Sequence, residues 1–490
     1  MAKILIIGGG VGGLSAGIYA SLCGHNAIVC ESHFIPGGNL TGWDREGYHI
    51  DNCIHWLTGT NPMTSTYKMW EDLGVLGDTE IIQGDALYVC EHNGETLGLY
   101  CDLNIIEQRM LEISPEDKRE TKRFIRAVKF MQEVANIAGK EHNTGVSLST
   151  LSALPVIARY YGMTTGELSE KFTHPLLKSF ISAFWGGDFG ALSLIFVVAH
   201  YAGMNAGLPR GGSTAMAERM AERLKSLGGE LMLRKEAVKI NYKDGKAESV
   251  TFKDGDTISA DYFILTPDPA SVFGTLIDLP MPKQLKRQYD NERMHRFSSC
   301  HCALACDMAT LPFRGDFIFE VPAHLRDRFE MHTPGIRSVI IREFSHEPSF
   351  SPDGKNLLQT MIFCYEDDAK TFISLRESDK AAYNERKREM SEILIDIIVS
   401  HFPEMEGKLR PIDFWTPATY RRYTKSEIGS YMSFALPSKV APMRTSNRIK
   451  GLDNVLLATQ WQQAPGGLPI AAELGKLAAE EIAKMERRSK

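Results

Sequence analysis

The sequence predicts an α/β fold, with a Rossmann-type dinucleotide-binding domain assembled from discontinuous segments and a mixed α+β domain built from the chain between them. Three observations predict it. A β-rich run, Lys3 to Ile7, meets the glycine loop Gly8-Gly9-Gly10-Val11-Gly12-Gly13, which opens an apolar helical stretch from Leu14 to Ala20. A second strand, Ala27 to Cys30, ends in an acid, Glu31, about 20 residues after the glycines, as a ribose-binding carboxylate should. At the far end of the chain, Gly466-Gly467-Leu468-Pro469 opens another helix, Ile470 to Met485.

In the first element each glycine has a separate reason. Gly8 permits the tight turn, Gly10 lets backbone approach a pyrophosphate and Gly13 lets helix and strand pack closely. The helix N-terminus, with Val11 and Gly12, adds amide donors and partial positive charge. Gly24 ends the helix. In the second element Glu31 is expected to accept hydrogen bonds from ribose hydroxyls, and its charge disfavours a 2′-phosphate, so the site suits FAD or NAD rather than NADP. The choice between them rests on Pro36-Gly37-Gly38-Asn39-Leu40, a second glycine turn after the acid. It carries more backbone, at Gly38 and Asn39, toward the pyrophosphate of a cofactor held extended through the protein, and this favours FAD.

Bulk properties bound the remaining possibilities. A chain of 490 residues exceeds one simple core and predicts two or three intermixed domains. With 43% apolar and 24% charged residues it is neither disordered nor a membrane bundle. A net charge of -6 leaves no electrostatic footprint for nucleic acid. The start, Met1-Ala2-Lys3 running into Ile4 to Ile7, has no signal-peptide pattern, so a cytoplasmic location is expected. Nine scattered cysteines argue against a disulfide framework. Cys300, Cys302 and Cys306 sit in a strand-like run, Ser298 to Ala305, and read as packing, with no metal site expected. The most apolar stretch, Leu192 to Leu208, is shorter than the roughly 20 residues that span a bilayer. It reads as a helix that is buried or lines an apolar cavity, and peripheral contact with a membrane surface stays open.

Further motifs follow in order. They are Gly47-Tyr48-His49-Ile50-Asp51, then Gly207-Leu208-Pro209-Arg210-Gly211-Gly212 before a helix Thr214 to Leu227, then Gly228-Gly229-Glu230 and a strand Glu236 to Asn241. After these come the strand-like Ala260 to Pro269, a turn from Thr416-Pro417 to Gly429-Ser430-Tyr431, and the strand Gly451 to Ala458. On these residues, nearly end to end, the chain resembles the phytoene desaturase, carotenoid isomerase and retinol saturase group of FAD-dependent oxidoreductases in the amine oxidase-like superfamily. The resemblance implies non-covalently bound FAD, a backbone contact from Val238 to adenine, and contact of Gly467, Leu468 and Pro469 with the flavin pyrimidine side and ribityl chain. It implies chemistry on carbon–carbon bonds, by desaturation, saturation or isomerisation, in a long apolar polyene or isoprenoid-like substrate. The chain departs from the usual small, Gly-rich approach to the last helix with Thr459-Gln460-Trp461-Gln462-Gln463, so Trp461 is expected beside the flavin, reshaping the substrate mouth.

The expected FAD-binding domain takes residues 1–95, 207–285 and 440–490, and the substrate domain 96–206 and 286–439. The latter reads as helical over 105–200, in Arg123 to Ile137, Thr150 to Tyr161 and Pro175 to Trp185, and then as strands Ser338 to Arg342 and Leu357 to Cys364 with a helix Ala381 to His401. A sheet with helices over one face fits. No Ser-His-Asp order, H-E-x-x-H or EF-hand loop competes with flavin chemistry. His55 and Trp56 are the candidates at the flavin face, and His55 either transfers a proton or only hydrogen-bonds the flavin or backbone. Trp185, Phe189, Phe196 and Tyr201 line a channel or pack a core, and Arg210 braces its glycine turn. The electron donor or acceptor, whether oxygen, a quinone or a redox protein, is not encoded in any readable residue. Two other readings share the FAD half: a flavin amine oxidase, and a non-catalytic prenyl-binding chaperone, which would not need intact glycines.

Overall fold

Five parallel strands carry the nucleotide half. Their order is Glu230–Met232, Asn26–Cys30, Lys3–Ile7, Tyr262–Leu265 and Leu452–Leu457, with Arg448–Ile449 antiparallel at the edge. The computed structural model describes residues 1–138, 148–182, 186–329, 331, 338–440 and 444–488. Both faces of this sheet are covered, which is why its strands read as continuous apolar runs. Ile4 and Ile6 pack against the helices Val11–Leu22, Gly212–Ser226 and Leu468–Arg488, whereas Leu5 and Ile7 pack against a three-stranded meander that starts with Ala237–Lys243. The first and last helices lie in direct contact. A Cβ on Gly475 would stand 2.2 Å from the Gly12 carbonyl oxygen, and Ser15 Oγ donates to the Ala472 carbonyl at 2.6 Å.

The second sheet has seven strands in the order Leu409–Trp415, Ser298–Cys306, Asn356–Cys364, Ser338–Glu343, Phe317–Glu320, Ala86–His92 and Glu95–Tyr100. The pairing is antiparallel except between Phe317–Glu320 and Ala86–His92. Ala86–His92 lies inside the segment 1–95 that the sequence grouped with the nucleotide half. It belongs to the other sheet because Val89 and Cys90 pair with Phe317 and Ile318, partners too far along the chain to leave a local signal.

Helices cover this sheet on both faces, not one. Ile340 and Met361 face a layer that includes the helices Lys118–Ala138 and Ala191–Ala202, while Ile341 and Ile362 face Lys380–His401. Adjacent strand residues point to opposite faces, and here both members of each pair are apolar, so neither face tolerates water. Cys300, Cys302 and Cys306 alternate onto the face under Lys380–His401 and pack there. The turn expected from Thr416 to Tyr431 begins instead as a helix, Pro417–Thr424, capped by Thr416 with proline in its first turn. Only after it does Gly429, at φ +63°, make the turn. No helix among the described residues is long and apolar enough to cross a membrane.

Candidate active site

A cavity of about 1780 Å³ takes its lining from both halves of the molecule. At its nucleotide end two glycine turns are laid against each other. Gly37 N–H donates to the Gly9 carbonyl at 2.8 Å, Gly10 and Gly37 form a parallel bridge, and a Cβ on Gly38 would meet Gly10 Cα at 3.3 Å. Gly8 adopts φ +102°, and a Cβ there would meet Thr266 Oγ1 at 2.3 Å. The two turns and the start of the helix Val11–Leu22 form one shallow backbone cradle, open only because side chains are missing from it.

Glu31 is buried at the tip of its strand, as the ribose position requires. It accepts hydrogen bonds from Gly9 N–H at 2.6 Å, His33 N–H at 2.8 Å and Ser32 Oγ at 3.1 Å. A carboxylate offers about four acceptor positions, so capacity remains on the cavity side. Val238 sits at a bulge between Ala237 and Lys239, outside the hydrogen-bonded ladder, and lines the cavity. Its backbone is thereby spared from pairing with the neighbouring strand. Asn39 bridges its turn to the loop after Pro417–Thr424, since Nδ2 donates to the Ser430 and Tyr431 carbonyls at 3.1 and 3.0 Å. Asn39 Oδ1 is buried in the cavity wall with no hydrogen-bond partner among the described residues. A cradle that a Cβ would fill, a helix N-terminus, an acid and an orphaned acceptor suit a bound dinucleotide.

Gly8, Gly10, Val11, Gly12, Glu31, Gly38, Asn39, His55, Trp56, Val238, Trp461, Gly467, Leu468 and Pro469 all line this one cavity. Gly13 does not. A Cβ there would lie 1.8 Å from the Gly8 carbonyl oxygen, so its place is helix-to-strand packing rather than cofactor contact. Trp461 lines the cavity from a packed position. It is only 3% exposed, stacked on Tyr289 at 5.3 Å and edge-on to Phe434 at 5.0 Å, and serves as packed wall. The amides beside it brace the loop, Gln460 Oε1 accepting the Gly467 N–H at 3.0 Å and Gln462 Oε1 the Thr459 N–H at 2.9 Å.

His55 lies beyond the strand Tyr48–Asp51, and its side chain is 7% exposed. Neither ring nitrogen has a hydrogen-bond partner among the described residues, and Nδ1 is 3.7 Å from Asp316 Oδ2. Burial, reinforced by the Arg342 charge, holds its pKa well below the usual histidine range, so the ring is neutral at pH 7. The same burial pushes Asp316 up to about 6. Arg342 stands between the two loops, donating through Nη2 to the Ile54 carbonyl at 2.5 Å and placing Nε 3.6 Å from Asp316.

Away from the glycines the cavity becomes apolar, lined by Met131, Ile157, Leu192, Phe196 and Val197 from three helices. Among the described residues, none of the lining residues from those helices is acidic. Of the four aromatic residues expected here, Phe189 and Phe196 line the cavity, Tyr201 is buried in the core with its hydroxyl on the Gly84 carbonyl at 2.6 Å, and Trp185 lies outside the described residues. Arg210 braces its turn as expected, through Glu80 and the His346 carbonyl. Met131, Met361, Phe363, Tyr431 and Leu436 also reach the cavity. Tyr431 belongs to the turn singled out in the sequence and Met131 to a helix expected there, but nothing in the sequence marked Met361, Phe363 or Leu436 as cavity residues.

The family model described as flavin containing amine oxidoreductase matches residues 11–483. The chain belongs to this family. As a flavin-containing oxidoreductase it is an FAD-dependent enzyme, and the chemistry of the dinucleotide cradle fits that cofactor. Its curated relatives include prolycopene isomerase 1 of an Oncidium hybrid cultivar, 24% identical with 87% of this chain and 74% of that protein covered. Another is the 1-hydroxycarotenoid 3,4-desaturase of a Flavobacterium species, 22% identical with 98% and 99% covered. Among solved structures, an oxidoreductase from Methanosarcina mazei superposes with a TM-score of 0.65 at 15% identity, covering 98% of this chain and all of the other. Cyclohexylamine oxidase from Brevibacterium oxydans gives a TM-score of 0.57 at 16% identity, covering 99% of each chain. At these identities the two structures show a shared fold.

Proposed function

We propose that this flavin-containing oxidoreductase desaturates, saturates or isomerises carbon–carbon double bonds in a long apolar polyene or isoprenoid-like molecule. One observation carries the reading. The cavity that begins at the dinucleotide cradle continues without a break into an arm walled by Met131, Ile157, Leu192, Phe196 and Val197, with no acid from their helices among the described residues. Ligand sites commonly span ~300–1,000 Å³, so a cavity of about 1780 Å³ has room for a dinucleotide and a long second molecule together. An alkylammonium substrate would need an anionic or strongly polar partner to offset its desolvation, and among the described residues the arm offers it no carboxylate. Relatives named as a prolycopene isomerase and a hydroxycarotenoid desaturase support the polyene class.

In this reading Gly8, Gly10, Val11, Gly12, Gly38 and Asn39 hold the pyrophosphate, Glu31 the ribose and the Val238 backbone the adenine. Gly467, Leu468 and Pro469 meet the flavin side, with His55 and Trp56 at its face. Bound FAD supplies the hydride and electron chemistry. The protein excludes water along the arm and keeps a neutral imidazole at His55, able to hold or pass a proton at either ring nitrogen. A separate electron donor or acceptor completes turnover. Peripheral contact with a membrane surface belongs to the same proposal, supported by exposed Tyr161 and Phe196 in the lining of the cavity.

The test is spectroscopic. The holoenzyme is titrated anaerobically with linear polyenes, oxidised and after chemical reduction, and separately with amines in air. Bleaching or reoxidation of the flavin bands by a polyene, or altered polyene absorption, is expected. No response to any polyene, with peroxide release from amines, would replace this reading with an amine oxidase.

A further inference from the structure

His200 stands in the last turn of the helix Ala191–Ala202, half-buried in the wall of the cavity arm, its ring 5.0 Å from that of Phe196. Its orientation is set by Asn205, whose Nδ2 lies 3.0 Å from His200 Nδ1. That amide cannot be turned around. Asn205 Oδ1 accepts the backbone N–H groups of Gly59 at 3.1 Å and Asn61 at 3.0 Å, and only oxygen can face two donors. Nitrogen therefore faces the histidine, and an amide N–H only donates. A neutral imidazole that accepts at Nδ1 carries its proton on Nε2. Burial lowers the His200 pKa to about 4, so the neutral ring prevails at pH 7. Among the described residues no hydrogen bond reaches Nε2.

We infer that His200 reads an oxygen on the substrate, its Nε2–H donating to a hydroxyl or carbonyl oxygen carried by an otherwise apolar chain in the arm. The inference rests on the polyene reading above and narrows it. Thr58, Tyr161 and Ser193 also reach the cavity, but a hydroxyl turns to donate or accept as needed, whereas His200 is committed to donating. A pure hydrocarbon lying over Nε2 would displace water and strand that donor, at a cost that an oxygenated chain avoids. The discrimination therefore favours the oxygenated substrate.

The test compares all-trans lycopene with its 1-hydroxy derivative, two linear polyenes of equal length, by tryptophan quenching of the anaerobic holoenzyme. The hydroxylated polyene is expected to bind about tenfold more tightly, the size of one hydrogen bond in a dry site. His200→Phe is expected to bring the ratio to about one while lycopene still binds, and His200→Gln, which restores an N–H donor, to recover part of the preference. Flavin absorbance per polypeptide reports that each variant is folded. Equal affinities in the unaltered enzyme, or a ratio unchanged in His200→Phe, would overturn the role of His200 and leave the polyene reading standing. Failure of both polyenes to bind the unaltered enzyme would overturn both.

Discussion

The carboxylate of Asp51 accepts the backbone N–H and the hydroxyl of Ser213, at 2.6 and 2.7 Å, across 162 residues of chain. It closes the start of the helix Gly212–Ser226 and ties it to the strand Tyr48–Asp51. The fit demands glycine before the serine, because a Cβ on Gly212 would stand 2.2 Å from Asp51 Oδ2. Ser213 Oγ in turn accepts the Ile54 N–H at 3.0 Å, next to His55. Asp51→Ala is expected to destabilise the protein by about 1–3 kcal/mol, the loss of a buried cap with its donors left unpaired. Denaturant titration measures it, and an unchanged midpoint would remove Asp51 from this role.

Two glycines of the first loop are expected to fail differently. Gly13→Ala drives a methyl to within 1.8 Å of the Gly8 carbonyl oxygen, so strand and helix must separate and folding suffers. Gly10→Ala meets nothing closer than the Gly37 carbonyl oxygen at 3.6 Å, and Gly10 has φ -73°, which alanine adopts freely. That variant is expected to fold, losing at most ~1 kcal/mol at the N-cap, yet to bind FAD at least about tenfold more weakly, since its methyl enters the cradle where backbone must approach the pyrophosphate. Thermal unfolding without added FAD and FAD titration separate the two outcomes, and full flavin affinity in Gly10→Ala would contradict the cradle.

Arg342 is 4% exposed and serves the Ile54 carbonyl and Asp316 together. Arg342→Met strands an acceptor and a carboxylate, and breaking such a buried pair costs about 3–5 kcal/mol. Asp316 already titrates near 6 because of burial, and Arg342 opposes that shift. Its carboxyl protonates more readily in the variant, so the loss is expected to be smaller at pH 5 than at pH 8. Equal losses at both would mean that Asp316 does not feel Arg342.

Acid is expected to destabilise the fold below pH 6.5. Burial lowers His200 to about 4 and holds His55 and His301 well below 6.5. For each, the unfolded chain binds protons that the folded one refuses, so stability is full above 6.5 and falls as pH drops toward the folded value. His200 alone accounts for roughly 2–3 kcal/mol of this between 6.5 and about 4. Asp316 opposes them. Its raised pKa gives a contribution present below 3.8 and lost as pH rises through about 6, but it is one group against three. Melting temperatures from pH 8 to pH 4.5 are expected to fall, and a flat or rising profile would show that the imidazoles are not buried neutral.

Much of the nucleotide half was legible because its requirements are local. A tight turn, a close approach and a helix start each demand a particular residue within a few positions, and Gly8, Gly10, Gly13 and Glu31 satisfy them in order. The second sheet was legible as strands but not as an arrangement. Ile340 beside Ile341, and Met361 beside Ile362, blurred the alternation that marks a one-sided sheet. Ala86–His92 was grouped with the wrong half because its partner strand lies more than two hundred residues away.

By itself, then, the amino-acid order determined the Rossmann-type fold, the FAD and the family. Only the tertiary structure decided that Trp461 is wall, that Arg342 meets Asp316 beside His55, and that Asn205 commits His200 to donating. The reason is physical. Backbone conformation is set by neighbours along the chain, whereas burial, tautomer and charge pairing are set by neighbours in space.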